Sequence, residues 1–232
     1  MIGFARSWIK ARLDGWLQGA MIRHSKDLDF ASQVKARERS AAYAMQHMQD
    51  AERFTDRYSL LRYAVGQVRS DGLYCEFGVY KAESINVVAA AAPDKIVYGF
   101  DSFEGLPEIW RPGFRSGSFA AQSRGLPRVR GNVRLVRGWF SESLPGFLQE
   151  HPGPIAFMHV DCDLYSSTRT VLDALDSRMR AGAVVVFDEY FNYPGWEDHE
   201  YRAFQECVSR SGVGYQYHAY NRVDEQVACI IK

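Results

Sequence analysis

The sequence predicts an α/β fold with a doubly wound, mostly parallel seven-stranded sheet, N-terminal helices and a C-terminal antiparallel hairpin. Runs of near-continuous apolar residues, such as "AVVVFDE" at 183–189, are typical of strands buried on both faces of a sheet. Helical segments separate these runs, which is the order expected of parallel strands joined by crossover helices. The last two runs, "YQYHAYN" and "QVACIIK", are joined by a short polar turn and therefore predict the hairpin.

The composition is that of an ordinary globular chain, with 47% hydrophobic and 24% charged residues among 232. Lys+Arg and Asp+Glu both total 28, so the net charge gives no reason to expect a nucleic-acid partner. No run of apolar residues is long enough to predict a membrane span. The four cysteines have no metal-binding spacing, which favours buried, reduced thiols in a cytoplasmic protein.

Residues 1–70 predict a helical segment that precedes a domain at 71–232. Asp14 and Gly15 interrupt an apolar stripe near the N-terminus, and residues 30–70 contain no proline and predict helix throughout. The apolar stripe fits either a helix on a membrane surface or a helix that covers the domain or a partner subunit. The second interpretation is favoured. We therefore expect a lid or oligomerisation segment and a homodimer or higher homo-oligomer. The stripe consists of Phe4, Trp8, Leu13, Trp16, Leu17 and Met21.

From residue 72 onward, predicted strands and helices alternate along the chain. The segment 102–131 is irregular and too long to be a simple connector. Ligands of such sheets bind outside the carboxyl ends of the strands, so acids at those ends become candidate site residues. The predicted strands are 72–78, 95–101, 132–138, 154–161 and 183–189, the helices are 81–92, 166–180 and 199–211, and the strand-end acids are Glu76, Asp101, Asp161 and Asp188.

The first two strand ends indicate an adenosine-type cofactor. Gly78 lets the backbone approach a ligand closely, and Asp101 is placed to accept hydrogen bonds from both hydroxyls of a ribose. Taken alone, Gly78 also fits an ordinary tight turn. The dinucleotide fingerprint GxGxxG and the phosphate loop GxxxxGK[ST] are both absent from the sequence.

The last two strand ends indicate a divalent cation. Carboxylates converging from Asp161, Asp188 and Glu189 repel one another unless a cation lies between them or one takes a proton. Oxygen ligands favour Mg²⁺, Mn²⁺ or Ca²⁺ over zinc. In the alternative reading, Asp163 caps the following helix and Glu189 is solvated. His159 is interpreted as a hydrogen-bonded core histidine in preference to a catalytic base.

Several segments resemble, in order, the signature segments of the TylF/MycF-type (macrocin O-methyltransferase-like) family. These are "EFGVYKAESI", "VYGFDSFEGLPE", "VRGWFSESLP", "HVDCDLYSSTRTVL" and "VVVFDEYFNYPGWEDHE". The family comprises class I S-adenosylmethionine-dependent methyltransferases with a Rossmann-like fold. The resemblance spans residues 72–231, whereas residues 1–70 match only in being helical. It implies O-methylation of a hydroxyl on a small acceptor that contains a sugar or is a natural product.

The resemblance also implies residue roles. Asp161 would lie near the sulfonium and, with Asp163, take part in catalysis, while Asp161, Asp188 and Glu189 would bind Mg²⁺. The sequence departs from the family at Ala82-Glu83, where relatives often have Gly-Gly, and at Glu189, where many have Asp. The general base stays open between Asp163 and a metal-bound water. The implied cofactor-binding residues are Glu76, Gly78, Ser84, Asp101, Ser102, Phe103, Gly138, Trp139, Ser141 and Asp161.

Two other function classes compete with this hypothesis. A nicotinamide-dependent oxidoreductase would share the strand-end acids, but the missing GxGxxG argues against it. A non-catalytic module that keeps the fold to bind a partner would not need Glu76, Asp101, Asp161 and Asp188 together. Binding of S-adenosylhomocysteine in preference to NAD, together with turnover, distinguishes the three classes.

Overall fold

The structure, a computed structural model, describes residues 2–120 and 125–232, with side chains apart from those of 2–11, 13 and 24. Its helices are α1 (Ile2–Ser25), α2 (Leu28–His47), α3 (Arg57–Gly66), α4 (Glu83–Ala91), α5 (Phe140–Glu150), α6 (Tyr165–Leu175) and α7 (Glu200–Ser211). Its strands are β1 (Glu52–Phe54), β2 (Leu73–Phe77), β3 (Val97–Asp101), β4 (Val133–Arg137), β5 (Ile155–Val160), β6 (Met179–Phe187), β7 (Tyr215–Asn221) and β8 (Val227–Ile231).

The strands form one sheet of eight in the order β1-β7-β8-β6-β5-β2-β3-β4. Strand β8 runs antiparallel to both β6 and β7, and the remaining neighbours are parallel. The predicted fold class is therefore confirmed. The eighth strand is β1, which interrupts the helix predicted over 30–70 because it pairs with β7 from a distant part of the chain.

The central strands are buried on both faces, as their apolar runs predict. Every residue of β5 is buried. Its alternate side chains enter two separate cores: Met158 packs with the α5, α6 and α7 side, whereas Phe157 packs with the α3 and α4 side. Helices on both faces thus leave the carboxyl edge of the parallel strands as the place where polar groups meet.

Two further differences between the predicted and observed helices concern α6 and α5. Helix α6 ends at Leu175, five residues early, because Asp176–Arg178 form a 3₁₀ turn in which Arg178 donates to the carbonyls of His151 and Gly153. Helix α5 has no counterpart among the predicted elements, and Pro145 and Gly146 within it oppose helix locally. It forms because Leu144 and Phe147 are buried against the sheet.

The N-terminal segment divides into a part packed on the sheet and a part that stands away from it. Leu60 and Leu61 of α3 are fully buried in the same core as the sheet. In contrast, Trp16 and Met21 of α1 are 66% and 70% exposed. The predicted side chains of Phe4, Trp8 and Leu13 lie outside the described residues. Among the described helices, none has the length and apolar character needed to cross a bilayer.

Candidate active site

The strand-end residues are held at one edge of the sheet by backbone hydrogen bonds that continue each ladder past its strand. Because these bonds fix the backbone at the strand ends, the acids are placed by the sheet and not by flexible loops. The bonds run from Gly78 N to Phe100 O (2.9 Å), Asp161 N to Phe77 O (2.8 Å), Asp188 N to Val160 O (2.9 Å) and Gly138 N to Asp101 O (3.0 Å).

Gly78 is required by a close approach between two strand ends. Its φ is +94°, a region that disfavours side chains. A Cβ added at this residue would lie 1.7 Å from the carbonyl oxygen of Asp161. Gly78 is therefore more than an ordinary turn residue, because its missing side chain lets the β2 and β5 ends meet at the site.

A cavity of about 470 Å³ opens at this edge of the sheet, within the range typical of small-molecule sites. Four predicted site residues are not in its wall: Glu76 and Asp188 are buried behind it, Phe103 faces the core, and Ser141 is exposed. The predicted residues that do line the cavity are Gly78, Ser84, Asp101, Ser102, Gly138, Trp139, Asp161, Asp163 and Glu189.

Glu76 faces its neighbours in the sheet. Its Oε1 accepts a hydrogen bond from the Ser84 hydroxyl (2.9 Å), and its Oε2 lies 2.9 Å from Nδ1 of His159, the residue opposite it on β5. The other ring nitrogen, Nε2, lies 3.4 Å from Oδ1 of Asp188. Burial alone lowers the pKa of His159, but the hydrogen bonds to Asp188 and Glu76 outweigh it and raise the pKa to about 10. Both ring nitrogens are thus donors to carboxylates, as expected of a hydrogen-bonded core histidine.

Arg57 is a site residue that the sequence patterns do not predict. Its Nη2 lies 3.3 Å from Oδ2 of Asp161 and 3.1 Å from Oδ2 of Asp188. The next residue, Tyr58, donates a hydrogen bond to Glu83 (2.8 Å), which also attaches α3 to the cavity rim. Arg57 lies 104 residues before Asp161 in the chain, so no local pattern connects them. The only signal is the Asp56 cap that begins its helix.

Three further carboxyl groups lie near the same strand ends. Burial and the nearby Asp188 charge raise the pKa of Asp163 to about 7. Burial also raises the pKa values of Glu189 and Glu200, and Glu200 accepts the backbone N–H groups of Glu189 and Cys162. Helix α6 begins without a side-chain cap and Glu189 is only 9% exposed, so neither the capping role of Asp163 nor the solvated Glu189 is observed.

The donor set fits a hard divalent cation. Within the described residues, ligand atoms of His159, Asp161 and Asp188 lie within 4.8 Å of one another. Both nitrogens of His159 are committed to carboxylates, which leaves the oxygens of the two aspartates as the available ligands. Glu189 is outside this cluster, but its buried Oε2 has no hydrogen-bond partner among the described groups.

Asp101 connects two turns at the cavity wall. Its Oδ2 accepts the backbone N–H groups of Val79 and Tyr80, both at 2.8 Å, and its Oδ1 accepts that of Phe103 at 2.6 Å. A carboxylate oxygen has about two acceptor positions. Asp101 therefore keeps one position at Oδ1 for a ligand hydroxyl, whereas the sequence predicted that it would accept two.

The described part of the long segment after β3 forms an aromatic wall. The guanidinium of Arg111 lies 3.9 Å from the ring centroid of Trp110 and 4.6 Å from that of Tyr193. Its Nη1 also lies 3.0 Å from each carboxylate oxygen of Glu225, in the turn between β7 and β8. These contacts fix the loop over the strand ends, where Trp110 and Arg111 line the cavity.

The chain is similar to known proteins in sequence and in structure. The chain is 32% identical over 158 residues to the 8-demethyl-8-(2,3-dimethoxy-alpha-L-rhamnosyl)-tetracenomycin-C 4'-O-methyltransferase of Streptomyces olivaceus, covering 56% of this chain and 58% of that protein. It is 31% identical over 151 residues to the demethyldecarbamoylnovobiocin O-methyltransferase of Streptomyces niveus, covering 53% and 55%. The chain thus spans little more than half the length of these curated relatives.

Solved structures share the fold. The calicheamicin methyltransferase CalS11 superposes with a TM-score of 0.60 at 24% identity, over 75% of this chain and 76% of that one. The O-methyltransferase NovP superposes with a TM-score of 0.58 at 23% identity, over 75% and 78%. Residues 75–190, half of the chain, match the family described as "Methyltransferase domain", and this range contains the strand ends from β2 to β6. The chain therefore belongs to the methyltransferase-domain family.

Proposed function

We propose that this protein is an S-adenosylmethionine-dependent O-methyltransferase of the TylF/MycF type. Its acceptor is a hydroxyl on a small natural product that contains a sugar. The observation that carries the proposal is the single cavity wall formed by Gly78, Asp101, Asp161 and Asp163 at the carboxyl edge of the sheet. Both curated relatives are named as O-methyltransferases of natural products, one of them of a rhamnosyl compound. The methyltransferase-domain match disfavours the nicotinamide oxidoreductase.

The cofactor fits the wall on the β2 to β4 side. S-adenosylmethionine supplies a methyl group on a positively charged sulfur. Asp101 has one acceptor position left for a ribose hydroxyl. The Ser84 hydroxyl also lines the wall and donates its hydrogen bond to Glu76. Glu76 thus acts on the methionine end of the cofactor through Ser84. Phe103 acts on the ribose through Asp101, to which it donates its backbone N–H. Gly138 and Trp139 border the adenine.

The acceptor side is assigned to the β5 and β6 ends. A methyl transfer needs an in-line approach and a hydroxyl relieved of its proton. Asp163 lines the cavity, and no hydrogen bond from the described residues reaches its carboxylate. We assign it as the group that takes the acceptor proton. The wall around Trp110 and Arg111 excludes water from the acceptor.

Asp161 and Asp188, with Glu189 beside them, would hold Mg²⁺, Mn²⁺ or Ca²⁺. Such a cation lowers the pKa of an acceptor hydroxyl and orients it. Alanine at Asp188 is expected to abolish any Mg²⁺ dependence of turnover, whereas alanine at the exposed Asp198 is the matched control and should not. Activity that is unaffected by EDTA would remove the metal from the mechanism.

Calorimetry with S-adenosylhomocysteine tests the cofactor. We expect the purified chain to bind it and to bind NAD more weakly or not at all. Methyl transfer is then measured by mass spectrometry across a panel of glycosylated and free hydroxylated acceptors. Tighter binding of NAD would favour an oxidoreductase, and cofactor binding without turnover of any acceptor would favour a non-catalytic module.

Within the N-terminal segment at 1–70, α1 and α2 are assigned as a lid and as the contact between subunits of a homodimer or larger homo-oligomer, whereas β1 and α3 belong to the sheet and its core. The exposed Trp16, Leu17 and Met21 of α1 support an apolar contact with a second copy. The four cysteines are buried and unpaired, which suits the cytoplasm. Light scattering of the wild type and of Trp16→Glu tests the contact: a monomer in both would contradict it.

A further inference from the structure

The Arg57 guanidinium contacts two carboxylate oxygens that the proposed divalent site also uses. One nitrogen, Nη2, is 3.3 Å from Oδ2 of Asp161 and 3.1 Å from Oδ2 of Asp188. These aspartates follow neighbouring strands and are the available oxygen ligands of the cluster described above. The guanidinium therefore already supplies positive charge at the point where a cation would supply it.

The geometry of this contact is that of a weak ion pair, from which the guanidinium can be displaced. A strong arginine–carboxylate pair uses two parallel N–H donors on one carboxylate, whereas Arg57 divides a single nitrogen between two. Its Nε is buried and has no hydrogen-bond partner among the described residues. Its side chain is 34% exposed, against 2% for Asp188. A rotation of the Arg57 side chain toward solvent would free Oδ2 of Asp161 without moving the sheet. It would leave Oδ2 of Asp188 with the longer hydrogen bond from Gln226 Nε2 (3.4 Å).

A divalent cation on the same oxygens would stand within a few ångströms of the guanidinium, where like charges repel. We propose that Arg57 competes with the divalent cation for Asp161 and Asp188 and thereby sets the affinity of the site. This inference rests on the metal site of the proposed function. It assigns α3, through its first residue, to the control of cation binding.

The experiment titrates MnCl₂ into the full chain by calorimetry. Replacement of Arg57 by the uncharged Met keeps the aliphatic stem and removes the competing charge. We expect Arg57→Met to bind Mn²⁺ about fivefold more tightly than the wild type, or more, since an ion pair whose arginine is 34% exposed is worth about that factor. The matched control is Arg62→Met in the same helix, where an exposed arginine contacts Asp56 and no change is expected.

Added to Arg57→Met, Asp188→Asn should abolish Mn²⁺ binding, which locates the ion at the acid pair. Should circular dichroism show that Arg57→Met is unfolded, Arg57→Lys replaces it. Lysine keeps the charge but not the arginine's reach, and we expect a tightening of about twofold. Unchanged or weaker Mn²⁺ affinity in the folded variant overturns the inference, as does the absence of Mn²⁺ binding in both wild type and variant. Binding of S-adenosylhomocysteine by the same samples reports separately on the proposed function.

Discussion

Replacement of Gly78 by alanine should damage both stability and the site. The added Cβ would lie 1.7 Å from the Asp161 carbonyl oxygen, so the β2 and β5 ends would have to separate by about 2 Å to restore ordinary contact. The unfavourable φ of +94° costs about 1 kcal/mol, and overpacking of this kind costs about 1–3 kcal/mol more. The expected loss is about 2–4 kcal/mol, a large part of the 5–15 kcal/mol that holds a typical domain together.

Gly113→Ala is the matched control. Gly113 has the same φ of +94°, but an added Cβ there would meet nothing within 4 Å. The free energies of unfolding of both variants are measured in urea by tryptophan fluorescence. Their difference therefore isolates the contact with Asp161. Gly78→Ala should also lose affinity for S-adenosylhomocysteine in calorimetry, while Gly113→Ala should retain it. Free energies of unfolding within about 0.5 kcal/mol of each other would refute the close-contact argument.

Three further predictions concern the buried charges. His159→Leu should lower the free energy of unfolding by about 3–5 kcal/mol in urea, because it leaves Glu76 and Asp188 buried without their shared partner; a loss below 1 kcal/mol would contradict that partnership. Asp163→Asn should reduce kcat about 100-fold with the calorimetric Kd for S-adenosylhomocysteine unchanged, and a retained kcat would exclude Asp163 as proton acceptor. Glu225→Gln should destabilise the chain by about 2 kcal/mol in urea and raise the acceptor KM, because Arg111 loses its ion pair; an unchanged KM would show that this pair does not hold the acceptor wall.

Strand-end positions were predictable because burial on both faces leaves a simple signal, an apolar run that stops at an acid. Asp161 and Asp188 follow β5 and β6 in this way, and adjacency of those strands brings them together. The direction in which an acidic side chain points from a strand is harder to predict. Glu76 was expected to face a ligand, but it lies opposite His159 in the β2–β5 register, a pairing that requires the strand order.

Long-range pairings explain what the sequence did not reveal. Arg57 approaches Asp161 only because α3 packs against the same face of the sheet as α4. Strand β1 exists because β7 offers it an edge, and α5 forms despite Pro145 because its apolar face is buried. In each case tertiary contacts outweigh a local preference, and no periodicity within the segment records them.

Under the proposed function, the balance of charge at the strand ends constrains the kind of acceptor that the cavity would take. Among the residues that the structure describes, five acids and three cations line its wall, and the charge of Arg111 is already matched by Glu225. Behind the wall, His159 is shared between Glu76 and Asp188. Burial and the nearby charge of Asp188 raise the pKa of Asp163. The acid-rich strand ends stabilise an entering cation and oppose an entering anion. A positively charged sulfonium suits this environment, and a neutral hydroxylated acceptor suits it better than the same acceptor carrying a carboxylate or a phosphate.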